Sequence, residues 1–80
     1  MRERSAEQAI IKACQYILRY RGRRHADADE IKLCMEEMRK MFRGEKSESE
    51  TALDLATLLK VPLDRAYRGI RMAKKEAGLL

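Results

Sequence analysis

The chain has 80 residues, 45% hydrophobic and 39% charged, with eighteen Lys and Arg against thirteen Asp and Glu for a net charge of +5. That size allows one domain with one modest core and leaves little room for a catalytic cleft beside it. The composition excludes a disordered tail, and no apolar run approaches the ~20 residues of a membrane span.

Met1-Arg2-Glu3-Arg4 leads into no signal-like segment, so the expected compartment is the cytoplasm, with nucleoid association if the source is bacterial. Cys14 and Cys34 are too few for a disulfide framework and fall at apolar positions of predicted helices, which reads as reduced thiols in a core. With His25 as the one histidine, no zinc site is expected, and no cofactor.

The first predicted helix opens at Ser5-Ala6-Glu7-Gln8, a capping-box pattern, and runs to about Tyr20. Ile10, Ala13, Cys14, Ile17 and Leu18 recur at helical spacing, and Gly22 ends the helix ahead of a polar Arg23-Arg24-His25 loop. Asp27-Ala28-Asp29-Glu30 opens the second helix, with acids at the positive end of its dipole. Ile31, Cys34, Met35, Met38, Met41 and Phe42 form its buried stripe, Arg39, Lys40 and Arg43 collect near its end, and Gly44 supplies the C-terminal cap.

Glu45-Lys46-Ser47-Glu48-Ser49-Glu50 reads as a solvated linker. The third helix is expected from near Ser49 or Thr51 to near Lys60, with Leu53, Ala56 and Leu58 or Leu59 inward. A short turn at Lys60-Val61-Pro62 follows, and Pro62 suits the first turn of a fourth helix that runs to about Ala77 and stops at Gly78. The expected fold is an all-α, four-helix compact domain over 1–80. Residues 1–44 form a two-helix support and candidate dimerisation part, and 49–80 form a helix-turn-helix from helices three and four.

The last helix concentrates the charge. Residues 65–75 carry five cations and no acid, so the remaining residues balance at thirteen of each sign. At about 100° per residue, Leu63, Ala66, Ile70, Ala73 and Ala77 share an inner sector. Arg65, Arg68, Arg71 and Lys75 lie opposite, with Tyr67 and Lys74 at the boundary. Such a face suits double-stranded DNA, because neutralised phosphates release counterions and Arg can bind guanine bidentately. Early positions of a recognition helix reach bases, which nominates Arg65 and Arg68, with Leu63 and Asp64 tuning. Arg71, Lys74 and Lys75 would meet phosphates, while Tyr67 either donates to a phosphate or packs on the third helix.

Leu55-Ala56-x-x-Leu59-x-Val61, Arg68-x-Ile70-Arg71 and Lys75-Glu76-Ala77-Gly78-Leu79-Leu80 together resemble the helix-turn-helix core of winged-helix transcriptional regulators. The resemblance covers about 51–80 and implies Ala56 at the helix crossing and Val61 and Ile70 as core plugs. It also implies Arg65, Arg68 and Arg71 on the DNA side. The sequence departs from that pattern in three places. Lys60 stands where glycine is usual, and Ala66 stands where Val or Ile is usual, implying closer packing or a bulky neighbour such as Phe42. The "GLL" ending of the winged proteins leads into a β-hairpin, and here the sequence stops.

Arg19, Arg21, Arg23 and Arg24 either flank the groove or cap helix one, and Arg2 and Arg4 are either a minor-groove arm or a loose terminus. A homodimer is expected through Ile11, Tyr16 and Tyr20 of helix one. The alternative functions are a small all-α inhibitor or adaptor that binds an acidic protein, and a DNA-packaging or recombination accessory factor of a mobile element. A charged helix face is often only solvated; its coincidence with the helix-turn-helix spacing favours DNA. No nucleophile–base pair is present, so no enzyme activity is expected. Three Tyr and one Phe form no stacking platform for RNA.

Overall fold

The computed structural model describes the backbone of residues 2–21 and 27–79, and the side chains of 6–20 and 27–79. Among the described residues the chain is all-α: α1 (Arg2–Leu18), a 3₁₀ turn (Arg19–Arg21), α2 (Ala28–Phe42), α3 (Glu48–Leu59) and α4 (Leu63–Glu76). The helices close a ring in which α1 packs on α2 and α4, and α3 packs on α2 and α4.

Helix α1 buries Ile10, Ala13, Cys14, Ile17 and Leu18, the stripe expected from spacing, and Ala9 with them. It begins upstream of the proposed capping box, so Ser5 lies inside the helix rather than at its cap. Gly22 and the Arg23-Arg24-His25 loop lie outside the described residues.

Asp27 caps α2 as expected, its carboxylate accepting from the Asp29 N–H at 3.1 Å. The C-terminus closes by a double turn bond. Gly44, at φ +83°, donates to the Met41 carbonyl at 2.9 Å, and Glu45 donates to the Lys40 carbonyl at 2.9 Å. A left-handed residue is needed there, and glycine takes it without a Cβ penalty. Cys14 of α1 meets Cys34 of α2 in the core, both reduced; the Cys34 sulfur and then burial push the Cys14 thiol well up, so it stays protonated.

The stretch from Glu45 to Glu50 is structured, which corrects the linker reading. Ser47 caps α3 in a reciprocal box: its Oγ accepts from the Glu50 N–H at 3.1 Å, and its own N–H donates to the Glu50 carboxylate at 3.0 Å. Lys46 donates to the carboxylates of Glu37 on α2 and Asp54 on α3, tying the connection down. Asp54 and then Glu37 raise the Lys46 pKa, so the ammonium is fixed.

The inward face of α3 is Thr51, Ala52, Leu55 and Leu59, whereas Leu53 is 58% and Leu58 is 49% exposed. Ala56 is half-buried. Thr51 is tolerated in the core because its hydroxyl donates to the Ser47 carbonyl at 2.8 Å. The expected inward Leu53 is therefore replaced by a polar residue with a local bond. From Thr51 onward every position of α3 except Asp54 is apolar or small, so spacing alone could not choose the face.

Lys60 closes α3 in the left-handed region at φ 56°, and the Val61 N–H donates to the Ala56 carbonyl at 3.2 Å. A residue with a Cβ thus bears the positive φ that glycine would take more cheaply. Pro62 precedes α4 as its N-cap rather than entering its first turn. Val61, Ala66, Ile70 and Ala73 are buried, while Leu63, expected inward, is 45% exposed because it lies at the open end of the helix.

Candidate nucleic-acid interface

Helix α4 touches a neighbour on two of its three sides. Toward α1 it presents Gly69, and the approach is close: a Cβ at Gly69 would lie 2.4 Å from both Cγ1 and Cδ1 of Ile17. The small residue at this point of α4 thus admits α1 at close range.

Arg65 turns to the same side. Its Nη2 donates to the Tyr16 carbonyl at 2.6 Å, and its guanidinium lies 3.9 Å from the Tyr16 ring centroid and 5.9 Å from that of Tyr20. A cation on carbonyls near the end of α1 is favoured by the helix dipole, and stacking on an aromatic face adds to it. The guanidinium Nε is buried without a hydrogen-bond partner. Arg65 is therefore a clamp between α4 and α1, which corrects its placement among outward-projecting cations.

Toward α3, Lys74 donates to the Glu48 carboxylate at 2.6 Å and the Tyr67 hydroxyl donates to the Ser49 Oγ at 3.1 Å. Both boundary residues bond to the preceding helix, Lys74 through an ion pair and Tyr67 through a hydrogen bond. Tyr67 follows the second of its two expected roles.

The third side faces solvent and carries Asp64, Arg68, Arg71 and Lys75, all exposed, with half-buried Met72 at its edge. Among the described residues no carboxylate pairs with Arg68, Arg71 or Lys75. Their spacing of three and four residues sets them in one row of roughly 10 Å. Beside the row, Tyr16, Arg68, Arg71, Met72 and Lys75 line an open, largely apolar trough of about 370 Å³. Met72 and the α1 side of this surface were not foreseen. The readable signal was Tyr16 and Tyr20, four residues apart at the end of α1 and in the 3₁₀ turn after it, a ready seat for a guanidinium.

The other basic cluster is internally compensated. Arg39 pairs with Glu7 at 2.7 Å, Lys40 with Glu37 at 3.6 Å and Arg43 with Glu45 at 2.8 Å, around a smaller depression of about 250 Å³. The Arg39 guanidinium holds the Glu7 carboxyl below its usual range. Of the proposed dimer surface, Ile11 is 36% and Tyr20 is 51% exposed, while Tyr16 is half-buried beneath Arg65. Arg19 is exposed; the side chains of Arg2, Arg4 and Arg21, and all of Arg23 and Arg24, lie outside the described residues.

Among the described residues no three His, Cys, Asp or Glu side chains converge as a metal site, and no helix is long and apolar enough to cross a membrane. No protein-family profile, curated protein or solved structure matches the chain.

Proposed function

We propose that this protein binds double-stranded DNA through the outer face of α4 and acts as a small helix-turn-helix transcriptional regulator. The observation that carries the reading is the uncompensated row Arg68, Arg71 and Lys75, set beside a second basic cluster whose cations are all paired. The left-handed turn at Lys60 and the short α3-to-α4 connection support the helix-turn-helix part.

With Arg65 held on Tyr16, Arg68 is the first free arginine of α4 and becomes the base reader, bidentate to guanine. Exposed Leu63 and Asp64 at the helix start suit a thymine methyl and a cytosine amino group. Arg71 and Lys75 then meet phosphates. Tyr67 and Lys74 hold α3 in place behind them. A dimer through α1 around Ile11 would supply a second half-site.

The test is fluorescence anisotropy on a mixed-sequence duplex. On such a duplex all three cations meet phosphates, and three contacts give a salt slope of about −2.7, a roughly 40-fold loss of affinity between 50 and 200 mM salt. The variant Arg68→Ala/Arg71→Ala/Lys75→Ala should lose that slope and the low-salt binding while keeping its helicity. Absence of binding at low salt, or a triple variant that binds like the wild type, would overturn the proposal.

A further inference from the structure

A row of cations is all that phosphate binding needs, and this surface has more. Of the residues lining the trough, Met72 and Tyr16 are half-buried and make its floor, and Arg68, Arg71 and Lys75 are exposed and make its rim. Phosphates gain nothing from an apolar floor. An apolar side chain does, and the surrounding rim then calls for acids beside that side chain.

We propose that the α1/α4 trough is the docking site for an acidic amphipathic helix of a protein partner, seated with an apolar anchor on Met72 and Tyr16. The proposal goes beyond DNA binding and does not require it, because it stands on the apolar floor rather than on the cations alone. Charge complementarity identifies the occupant. The three rim cations have no carboxylate of their own among the described residues. They repeat at three and four residues, so acids one turn apart on a facing helix meet them in register. Helix-in-groove recognition places its anchors at that same spacing.

The floor suits such a partner. Methionine is unbranched and polarisable and adapts to the anchor it meets. Tyr16 is stacked against the Arg65 guanidinium at 3.9 Å, which limits its movement, so the seat is preorganised before the partner arrives. The trough is open and about 370 Å³, room for bulky side chains projecting from a helix. Occupation would cover Arg68, Arg71 and Lys75 and so exclude DNA from the same face. The partner would thereby be a regulator of whatever anion the row otherwise binds.

The probe is a fluorescein-labelled peptide of roughly 20 residues, long enough to hold a helix. It carries Glu at one-turn spacing on either side of a Leu row. Controls are the same peptide with Leu replaced by Ala, and vesicles of phosphatidylserine and phosphatidylcholine. Burial of a Leu-sized anchor should make the Leu peptide at least about tenfold tighter than the Ala peptide. Met72→Ala should weaken the Leu peptide by about fivefold or more and change duplex affinity less than about twofold. Met72 lies outside the buried core cluster, and the change of peptide leaves the protein untouched, so the comparison holds even if that variant folds poorly.

Equal affinity for the two peptides would overturn the proposal, as would tighter binding to the anionic vesicles than to the Leu peptide. Failure of DNA binding with retention of the Leu-over-Ala preference would sink the regulator reading and leave this one standing. DNA binding without that preference would do the reverse.

Discussion

Gly69 offers the sharpest test of how α4 is held. Gly69→Ala in a helix interior should gain about 1 kcal/mol from backbone propensity alone. The added Cβ would lie 2.4 Å from two atoms of the fully buried Ile17 side chain and 3.6 Å from the Ala13 carbonyl oxygen. Overpacking of that kind costs about 1–3 kcal/mol, so the substitution should be net destabilising by up to about 2 kcal/mol. Ile17→Val alone should cost about 1 kcal/mol through the lost methyl. It also removes Cδ1, one of the two obstructing atoms, and lets the shortened side chain turn away.

The double variant should therefore be less destabilised than the sum of the singles, by about 1 kcal/mol. Urea melts followed by helical circular dichroism give all four corners of the cycle. Additivity within about 0.4 kcal/mol, or a Gly69→Ala protein more stable than the wild type, would refute the close α1–α4 approach. Since Arg65 clamps the same two helices, the orientation of the outer face would then be in question too.

Arg65→Lys keeps the charge and loses both the planar stack on Tyr16 and the rigid donor to its carbonyl, so it should destabilise by about 1–2 kcal/mol in urea melts. A cation serving only an external anion would tolerate that change, and an unaltered melt would return Arg65 to the outer face. The Glu7–Arg39 pair predicts a pH effect of defined sign. Arg39 lowers the folded-state pKa of Glu7 below the ordinary 4.5, so the pair stabilises above about pH 4.5 and the gain is lost as pH falls through the lowered value. Both side chains are over a third exposed, which holds the gain to under about 1 kcal/mol. Wild type and Glu7→Gln should differ in melting temperature at pH 6 and converge near pH 2–3; a difference that persists in acid would refute the assignment.

Local rules made the ends of α2 and α4 legible, although the same kind of rule misplaced the start of α1 at Ser5. Asp27 at one end of α2 and Gly44 at the other act through bonds to residues within five positions. Gly78, at φ +80°, ends α4 in the same way. The Ser47–Glu50 box was equally local but hidden in a run of Glu, Lys and Ser whose composition resembles a linker. What made it visible was Lys46, which reaches a Glu37 buried on another helix. The face of α3 was not legible, because Leu53, Leu55, Leu58 and Leu59 compete as equals until α2 and α4 are in place. Arg65 failed for the related reason that periodicity gives an angle on α4 and not the identity of the neighbour at that angle. The Arg68, Arg71 and Lys75 row was legible in full, since an outer face needs only the absence of a neighbour.

That row carries a cost that separates a binding face from a merely solvated one. Arg68 with Arg71, and Arg71 with Lys75, are like-charge pairs at three- and four-residue spacing, each unfavourable by about 0.2–0.5 kcal/mol. The other basic cluster avoids this with Glu7, Glu37 and Glu45. Arg71→Glu would remove both repulsions and create two attractive pairs, the one to Lys75 in the better orientation with the acid N-terminal. The variant should therefore gain about 1 kcal/mol at low salt, and the gain should shrink as salt screens it. The same change should abolish both duplex and acidic-peptide binding, because the middle of the row then repels anions. Greater stability with lost binding would mean that the folded protein tolerates strain in α4 which an anionic ligand relieves. A variant no more stable than the wild type at low salt would show that the row is too well solvated to repel itself, and the argument from uncompensated charge would fail with it.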